Sequence, residues 1–278
     1  MNVTIDDVRD FWEDAPLFSG ESRHLPGTRE FFDEHARTIV EDCFAGRLPE
    51  FLFPAGTRDQ RALDLGCGPG FWIVEMCRRG IKDVVGADLT KRAIELAAER
   101  TRIYGFEAEF AQMNAERLDF PDASFDHVNC QGVIHHTPDP AAAVREIARV
   151  LRPGGTATVS VYYRNIFLRM WPVLAPFGRL LHRLGAALPG RGRSKIFALR
   201  DTNEIVRLYD GADNPLGIAF SRSGFTELLQ PELEVTSTAL HFFPARSLPF
   251  RIPRRLHRLL DRRCGFMIVA TARKPGGA

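Results

Sequence analysis

Three glycines at alternate positions, Gly66, Gly68 and Gly70, end the short apolar run Ala62-Leu63-Asp64-Leu65 and open a helical pattern. A strand that stops in so tight a turn and re-enters as a helix leaves few architectures open. Without a Cβ, glycine lets the turn take backbone angles closed to other residues and lets a ligand lie against the main chain. The first helical turn then presents unpaired N–H groups, which favour an anionic group such as a carboxylate. Open α/β sheets use this arrangement to bind nucleotide-like ligands at the carboxyl ends of their strands.

From Gln60 to Val161 strand and helix patterns alternate. Strands are expected at 61–65, 83–88, 107–112, 125–131 and 155–162, and helices at 70–79, 90–103 and 140–150, with a short turn near 115–118. Such alternation implies a parallel sheet with right-handed crossovers and helices on both faces. The chemistry then belongs in the loops after residues 65, 88, 112 and 131. A helix at 221–229 and strands near 233–241 and 266–272 complete an α/β, doubly wound, mostly parallel sheet of seven strands. Two segments stand outside that rhythm. Residues 1–58 read as an N-terminal helical lid. Residues 163–218 read as a helical insertion forming a cap, with the loop Leu208-Tyr209-Asp210-Gly211-Ala212-Asp213-Asn214-Pro215 near its end. The expected organisation is therefore a lid (1–58), a ligand-binding core (59–162), a cap (163–218) and a completion of the core sheet (219–278).

A chain of 278 residues can bury a large core in one elaborated domain. It opens acidic, with Asp6, Asp7, Asp10, Glu13 and Asp14, not with a basic-then-apolar signal pattern, and no apolar run reaches the length of a bilayer span. The five scattered cysteines lack zinc spacing and suit free thiols in a reducing compartment, so a cytoplasmic protein without a bound metal is expected. No pattern fixes an oligomeric state. The net charge of +2 says little, but its distribution is uneven. No acidic residue lies between Glu146 and Asp201 or from Val235 to Leu260, while arginines accumulate in both stretches. Each stretch reads either as a solvated basic face on a cap or as a surface for an anionic or lipid-like partner. Peripheral membrane contact through 163–200 and 246–263 is the sharper expectation.

One glycine turn specifies little; its neighbours specify more. Asp88 ends the second strand in Val84-Val85-Gly86-Ala87-Asp88-Leu89, where a carboxylate can accept both hydroxyl protons of a ribose while Leu89 packs on a purine. Then come Gln112-Met113-Asn114-Ala115-Glu116, Gln131-Gly132-Val133-Ile134-His135-His136 and Leu151-Arg152-Pro153-Gly154-Gly155. In order and spacing these segments, with Leu63-Asp64-Leu65-Gly66-Cys67-Gly68-Pro69-Gly70, resemble the class I S-adenosylmethionine (SAM) dependent methyltransferases of the small-molecule type. The resemblance is close over 60–162 and looser in the last strands.

The resemblance implies a Rossmann-like core, SAM as cofactor and a set of residue roles. Asp64 would orient the glycine turn or the amino group of the cofactor's methionine part. Gly66, Gly68 and Gly70, with Cys67 between them, would let the cofactor lie on the backbone. Asp88 would hold the ribose hydroxyls and Leu89 would flank the adenine. Asn114 stands where many members carry an aspartate, so its amide oxygen would accept from the adenine amino group without a charge. Ala115 would offer its backbone N–H to the ring, and Gln131 lies where the fourth strand opens toward the reactive methyl. Cys67 and Cys130 read as small packing residues, not nucleophiles. His135 and His136 are the nearest candidate catalytic bases, and Phe11 and Trp12 are candidates to close over the cofactor.

The function implied is methyl transfer to a small-molecule acceptor, apolar, aromatic or lipid-like. Two alternatives stand beside it. One is an RNA-directed methyltransferase drawn to its substrate by the basic stretches; the loop after the fourth strand lacks the Asn/Asp-Pro-Pro-aromatic type of base amino methylation, so nucleic acid is not the expected partner. The other is a SAM-binding, membrane-associated partner protein without transfer activity of its own.

Overall fold

The chain forms its central strand where both faces of a short segment are apolar. In β1 (Arg61–Leu65) Ala62, Leu63 and Leu65 are all buried, as a strand covered by helices on both sides requires. The computed structural model describes residues 3–54, 59–185, 196, 199–211, 213–245 and 250–276. Beside β1 lie β2 (Asp83–Asp88) and β3 (Glu109–Gln112) on one side, and β4 (Phe125–Gln131) and β5 (Leu151–Tyr163) on the other, all parallel. The two-residue β6 (Ala219–Phe220) pairs with the end of β5. The sheet is completed by β7 (Glu234–His241) and β8 (Met267–Arg273), with β8 antiparallel to both β5 and β7. The order is β3-β2-β1-β4-β5-β8-β7, and β6 makes eight strands where seven are expected. The strand order reverses between β1 and β4, and at their carboxyl ends a crevice opens.

Helices α3 (Phe71–Arg78), α4 (Lys91–Tyr104) and α5 (Pro140–Val150) make the crossovers. Their starts are written in the sequence. The Thr90 side chain caps α4 by accepting from the Ala93 N–H, and the Asp139 carboxylate caps α5 just ahead of Pro140, whose missing N–H is no loss in a first turn. One core packs around Leu63, Phe125, Val128, Ile147 and Val159, and a second around Leu52, Phe71, Ile73, Met76 and Val84. Strand β5 starts four residues ahead of expectation because the Arg152 guanidinium grips both Asp126 carboxylate oxygens, at 2.7 and 2.8 Å, and holds the Pro153-Gly154-Gly155 segment against β4.

The N-terminal segment divides in two. Helix α1 (Ile5–Asp14) begins in a reciprocal Thr4–Asp7 capping box and lies over the crevice. Helix α2 (Arg29–Thr38) is part of the core: Phe31 and Phe32 are fully buried against Leu96 of α4. Arg100 of α4 is 1% exposed, and its hydrogen bonds run to carbonyls and an imidazole. Its guanidinium donates to the carbonyls of Phe32 and Pro69 and contacts His35 Nδ1 at 3.0 Å, which joins α2 to the glycine turn. Burial draws its pKa down to about 10.

Beyond β5, α6 (Ile166–Arg183) and α7 (Thr202–Arg207) form a satellite core with Tyr162, Ile196 and Phe266. Of the expected cap, 186–195, 197–198 and Ala212 lie outside the described residues, as do 1–2 and 55–58 of the expected lid and 246–249 of the second basic stretch. A helix not among those expected lies in the Pro- and Arg-rich stretch before the last strand. Here α8 is Arg222–Leu229, and that added helix, α9, spans Arg254–Cys264.

Candidate functional site

The cleft at the switch point encloses about 820 Å³, part of it open to solvent. Its floor is the turn after β1. Gly66 (φ 71°) is required by the loop after β4, because an added Cβ would stand 2.2 Å from Val133 Cγ2. Gly68 (φ 49°) is the glycine that faces free space: an added Cβ would meet only Leu17 Cδ2, at 3.9 Å. Gly68 and Gly66 line the cleft, whereas Gly70 does not. Gly70 begins α3 and backs onto α4, where its added Cβ would lie 3.0 Å from Ala97 Cα. Cys67 also turns inward. It is 4% exposed, with burial, Asp88 and Asp64 all holding its thiol well above the ordinary range. The expected contribution of Cys67 and Gly70 to a ligand surface is therefore replaced by packing beneath it.

Asp88 is half-buried at the cleft wall. One carboxylate oxygen accepts from the Gly68 N–H at 3.0 Å; the other accepts from the Thr90 N–H and hydroxyl at 3.0 and 2.9 Å. The Leu89 N–H also bonds this carboxylate, which lines the cleft. Burial raises its pKa against the pull of these bonds. Leu89, Met113 and Ala115 make an apolar slot beside it, and Asn114 lies at the slot with its amide oxygen accepting from the Glu116 N–H at 2.9 Å.

Asp64 lies behind this wall, 1% exposed. Asn129 donates to one of its oxygens at 2.7 Å, and Gln131, which lines the cleft, donates to Asn129 at 2.9 Å. The other Asp64 oxygen is buried without a partner among the described residues. Burial pushes its carboxyl up to about 7, the Asn129 amide opposes, and the charge of Asp88 adds to the rise. Asp64 supports the glycine turn from behind and does not line the cleft, while free space over Gly68 and a carboxylate beside an apolar slot suit a ligand carrying a flexible end, vicinal hydroxyls and a planar base. SAM has those three parts.

The two histidines separate. His135 is 1% exposed, packs at a tilt against the Tyr162 ring at 4.1 Å and does not line the cleft; burial holds its pKa well below the usual range. It is no base for a ligand in this cleft. His136 does line it. Its Nδ1 lies 2.6 Å from the Leu216 carbonyl oxygen, which assigns it the hydrogen, and its Nε2 lies 3.2 Å from Asp210 Oδ2. The Tyr162 hydroxyl donates to that same oxygen. Both ring nitrogens thus face acceptors supplied by the cap, so His136 is a held wall and has no nitrogen left to act as a base. Asp210 and Leu216 lie in or beside the loop seen in the sequence, but nothing in the sequence ties them to His136.

Helix α1 closes the opposite side. Ile5, Val8 and Trp12 line the cleft, with Pro16 and Leu17 following, and the Trp12 ring meets His136 edge-on at 5.3 Å. Phe11 is buried behind Trp12. The Glu13 carboxylate accepts from the N–H groups of Lys91 and Arg92 at 2.8 and 3.1 Å, so a residue of α1 caps the helix that follows Asp88. Glu13→Ala is expected to lose about 1 kcal/mol of stability and to speed hydrogen exchange throughout α1, measured by mass spectrometry. Unchanged exchange in α1 would mean that the cap does not hold it.

A parallel sheet with a glycine turn, an acid closing the next strand and an apolar slot beyond it defines a Rossmann-like cofactor-binding domain. Residues 63–159 match the family described as a methyltransferase domain. Among curated proteins, the ubiquinone biosynthesis O-methyltransferase of Alkalilimnicola ehrlichii is 38% identical over 111 residues, 40% of this chain and 44% of that one. The 27-O-demethylrifamycin SV methyltransferase of Amycolatopsis mediterranei is 37% identical over 126 residues, 44% of this chain and 43% of its own. The chain thus spans less than half the length of these relatives. In fold it is similar to a SAM-dependent methyltransferase of Methanosarcina mazei, at TM-score 0.54 and 22% identity, over 80% of this chain and 95% of that one.

Proposed function

We propose that the chain binds SAM in this cleft and transfers its methyl group to a small apolar or aromatic acceptor. One observation carries the reading: a single cleft joins the glycine turn, Asp88 and the slot at Asn114 to an apolar wall of Ile5, Val8 and Trp12. When bound, SAM supplies an electrophilic methyl on a sulfonium. The chain's part is then to align and to shield. Gly68 leaves room for the cofactor, Asp88 holds the ribose, Leu89 and Ala115 flank the base, and Gln131 sets the edge nearest the acceptor. Helix α1 and the His136 wall exclude water from the apolar side. The O-methylating relatives support an oxygen acceptor. In this reading 59–162 is the SAM-binding core, 163–218 the cap and 219–278 its completion, with α1 the lid.

Peripheral membrane contact through the basic segments 163–200 and 246–263 belongs to the same reading, because an apolar acceptor partitions into bilayers. So does a cytoplasmic location, which five free thiols suit. Among the described residues no helix is long and apolar enough to cross a membrane.

The test is acceptor-dependent release of S-adenosylhomocysteine from SAM across a panel of phenols, quinols and hydroxylated macrocycles. Cofactor binding without release across the panel would favour a binding protein, and binding to RNA that falls steeply with salt would favour the nucleic-acid reading. His136→Phe keeps the ring volume and removes both nitrogens. It is expected to lower kcat/KM about tenfold, the worth of one or two neutral hydrogen bonds, with S-adenosylhomocysteine affinity within twofold. A loss of a thousandfold would make His136 a catalytic group.

A further inference from the structure

Helix α6 turns apolar side chains both inward and outward. On its inner side Leu168, Ala175 and Gly178 are buried, and the Trp171 indole donates to the Leu199 carbonyl at 2.9 Å. The outer side of a solvated helix is normally polar. Here it carries Ile166, Met170, Val173, Phe177, Leu180 and Leu184, with exposures from 44% for Met170 to 75% for Leu184. These positions follow i, i+4, i+7, i+11, i+14 and i+18, one continuous stripe. Exposed Arg169 and Arg183 border it on one side, and no acid occurs between Glu146 and Asp201 to balance them. Apolar stripes of this length are uncommon on a surface left to water.

Helix α9 repeats the pattern beside it. Asn165, at the foot of α6, donates to the Cys264 carbonyl at the end of α9 at 3.1 Å. Leu256 and Leu259 are exposed among Arg255, Arg258, Arg262 and Arg263, while the one acid of α9, Asp261, is buried and accepts from the Phe243 N–H.

We propose that the outer face of α6, bordered by Arg169 and Arg183 and with the arginine-bearing end of α9 at its foot, docks on an anionic lipid bilayer. The apolar stripe enters the acyl boundary while the arginines meet headgroup phosphates, as an in-plane interfacial helix requires. Charge decides between occupants. A second copy of the chain meeting this face by a twofold axis would set arginines against arginines, and a polyanion such as RNA would leave the stripe in water. The surface deepens the membrane contact in the proposed function and rests on it only for the route by which an acceptor arrives.

The experiment is co-sedimentation of the full chain with phosphatidylcholine vesicles, with and without about 30% phosphatidylserine, a content chosen to give the negative surface potential of a cytoplasmic leaflet. The expected result is binding at least tenfold stronger to the anionic vesicles, weakened by salt. A Val173→Asp/Phe177→Asp double variant, altered only at exposed positions, is expected to lose that binding tenfold or more. Its melting temperature and S-adenosylhomocysteine affinity are expected to match the parent's, which separates this result from any failure of methyl transfer. Equal binding to both vesicle types would overturn the proposal. So would unaltered vesicle binding by the variant, or a concentration-dependent dimer in the parent that the variant abolishes.

Discussion

Asp88→Ala is expected to weaken S-adenosylhomocysteine binding at least about 100-fold by titration calorimetry, while the chain stays folded. A hydrogen bond to a charged acceptor is worth roughly 1.5–3 kcal/mol, and loss of one ribose bond at the upper figure gives that factor. The same carboxylate holds the Gly68 N–H and both donors of Thr90, so the glycine turn loosens as well. Asp88→Asn separates the two effects. Its oxygen still serves Thr90, but its amide opposes the Gly68 N–H donor, so affinity should fall nearly as far with a smaller change in melting temperature. Affinity within threefold of the parent in both variants would place the ribose elsewhere.

The second large effect is on stability. In the unfolded chain Asp64 titrates near the ordinary carboxylate value; in the folded chain burial raises it to about 7. Between about pH 4 and about pH 7 the folded chain therefore holds a proton that the unfolded chain has lost. The sign follows from linkage: stability is highest at the acid end, declines as pH rises through this window, and levels off above it. A proton held over that interval corresponds to on the order of 4 kcal/mol. Asp64→Asn removes the titration and keeps an oxygen for the Asn129 amide. Against the ligand-free parent, its relative stability should thus grow by that amount between pH 4 and pH 8, measured by urea unfolding at several pH values. Parallel pH profiles for the two proteins would show that Asp64 is ionised when buried.

Much of this was legible in the chain, for reasons that differ by element. The bounds expected for β1, β2 and β4 coincide with those observed: β1 and β2 are mostly apolar runs closed by a glycine or an acid at the sheet's rim, and β4 ends just before Gly132. The parallel order followed from alternation. Strand β6 was not legible, since two residues carry no period, and β5 ran longer than its turn-like Pro-Gly-Gly suggested because Arg152 clamps Asp126. Asp88, Leu89, Asn114, Ala115 and Gln131 line the cleft because the ends of the parallel strands converge there by topology. The same logic overcounted Gly70 and Cys67, which a turn of fixed shape directs into the protein. Neighbouring His135 and His136 look alike in sequence; only the packing of Tyr162 against one and Asp210 against the other tells them apart. Asp210, Leu216 and the apolar residues of α1 reach the cleft from distant segments, and no local pattern announces such contacts.

The buried guanidinium of Arg100 has a consequence for how such a chain can diversify. Detaching α2 would take the Phe32 carbonyl and His35 from the guanidinium and leave a cation beside Phe71 and Tyr104 with the Pro69 carbonyl, so that helix is welded to the glycine turn. Helix α1 is fastened by the Glu13 carboxylate at a helix end and by the packing of Val8, Phe11 and Trp12, and it alone of the two faces the cleft. The first fifteen or so residues can thus be rewritten by drift to admit a new acceptor while the donor machinery stays untouched: an interchangeable nozzle on a fixed pump.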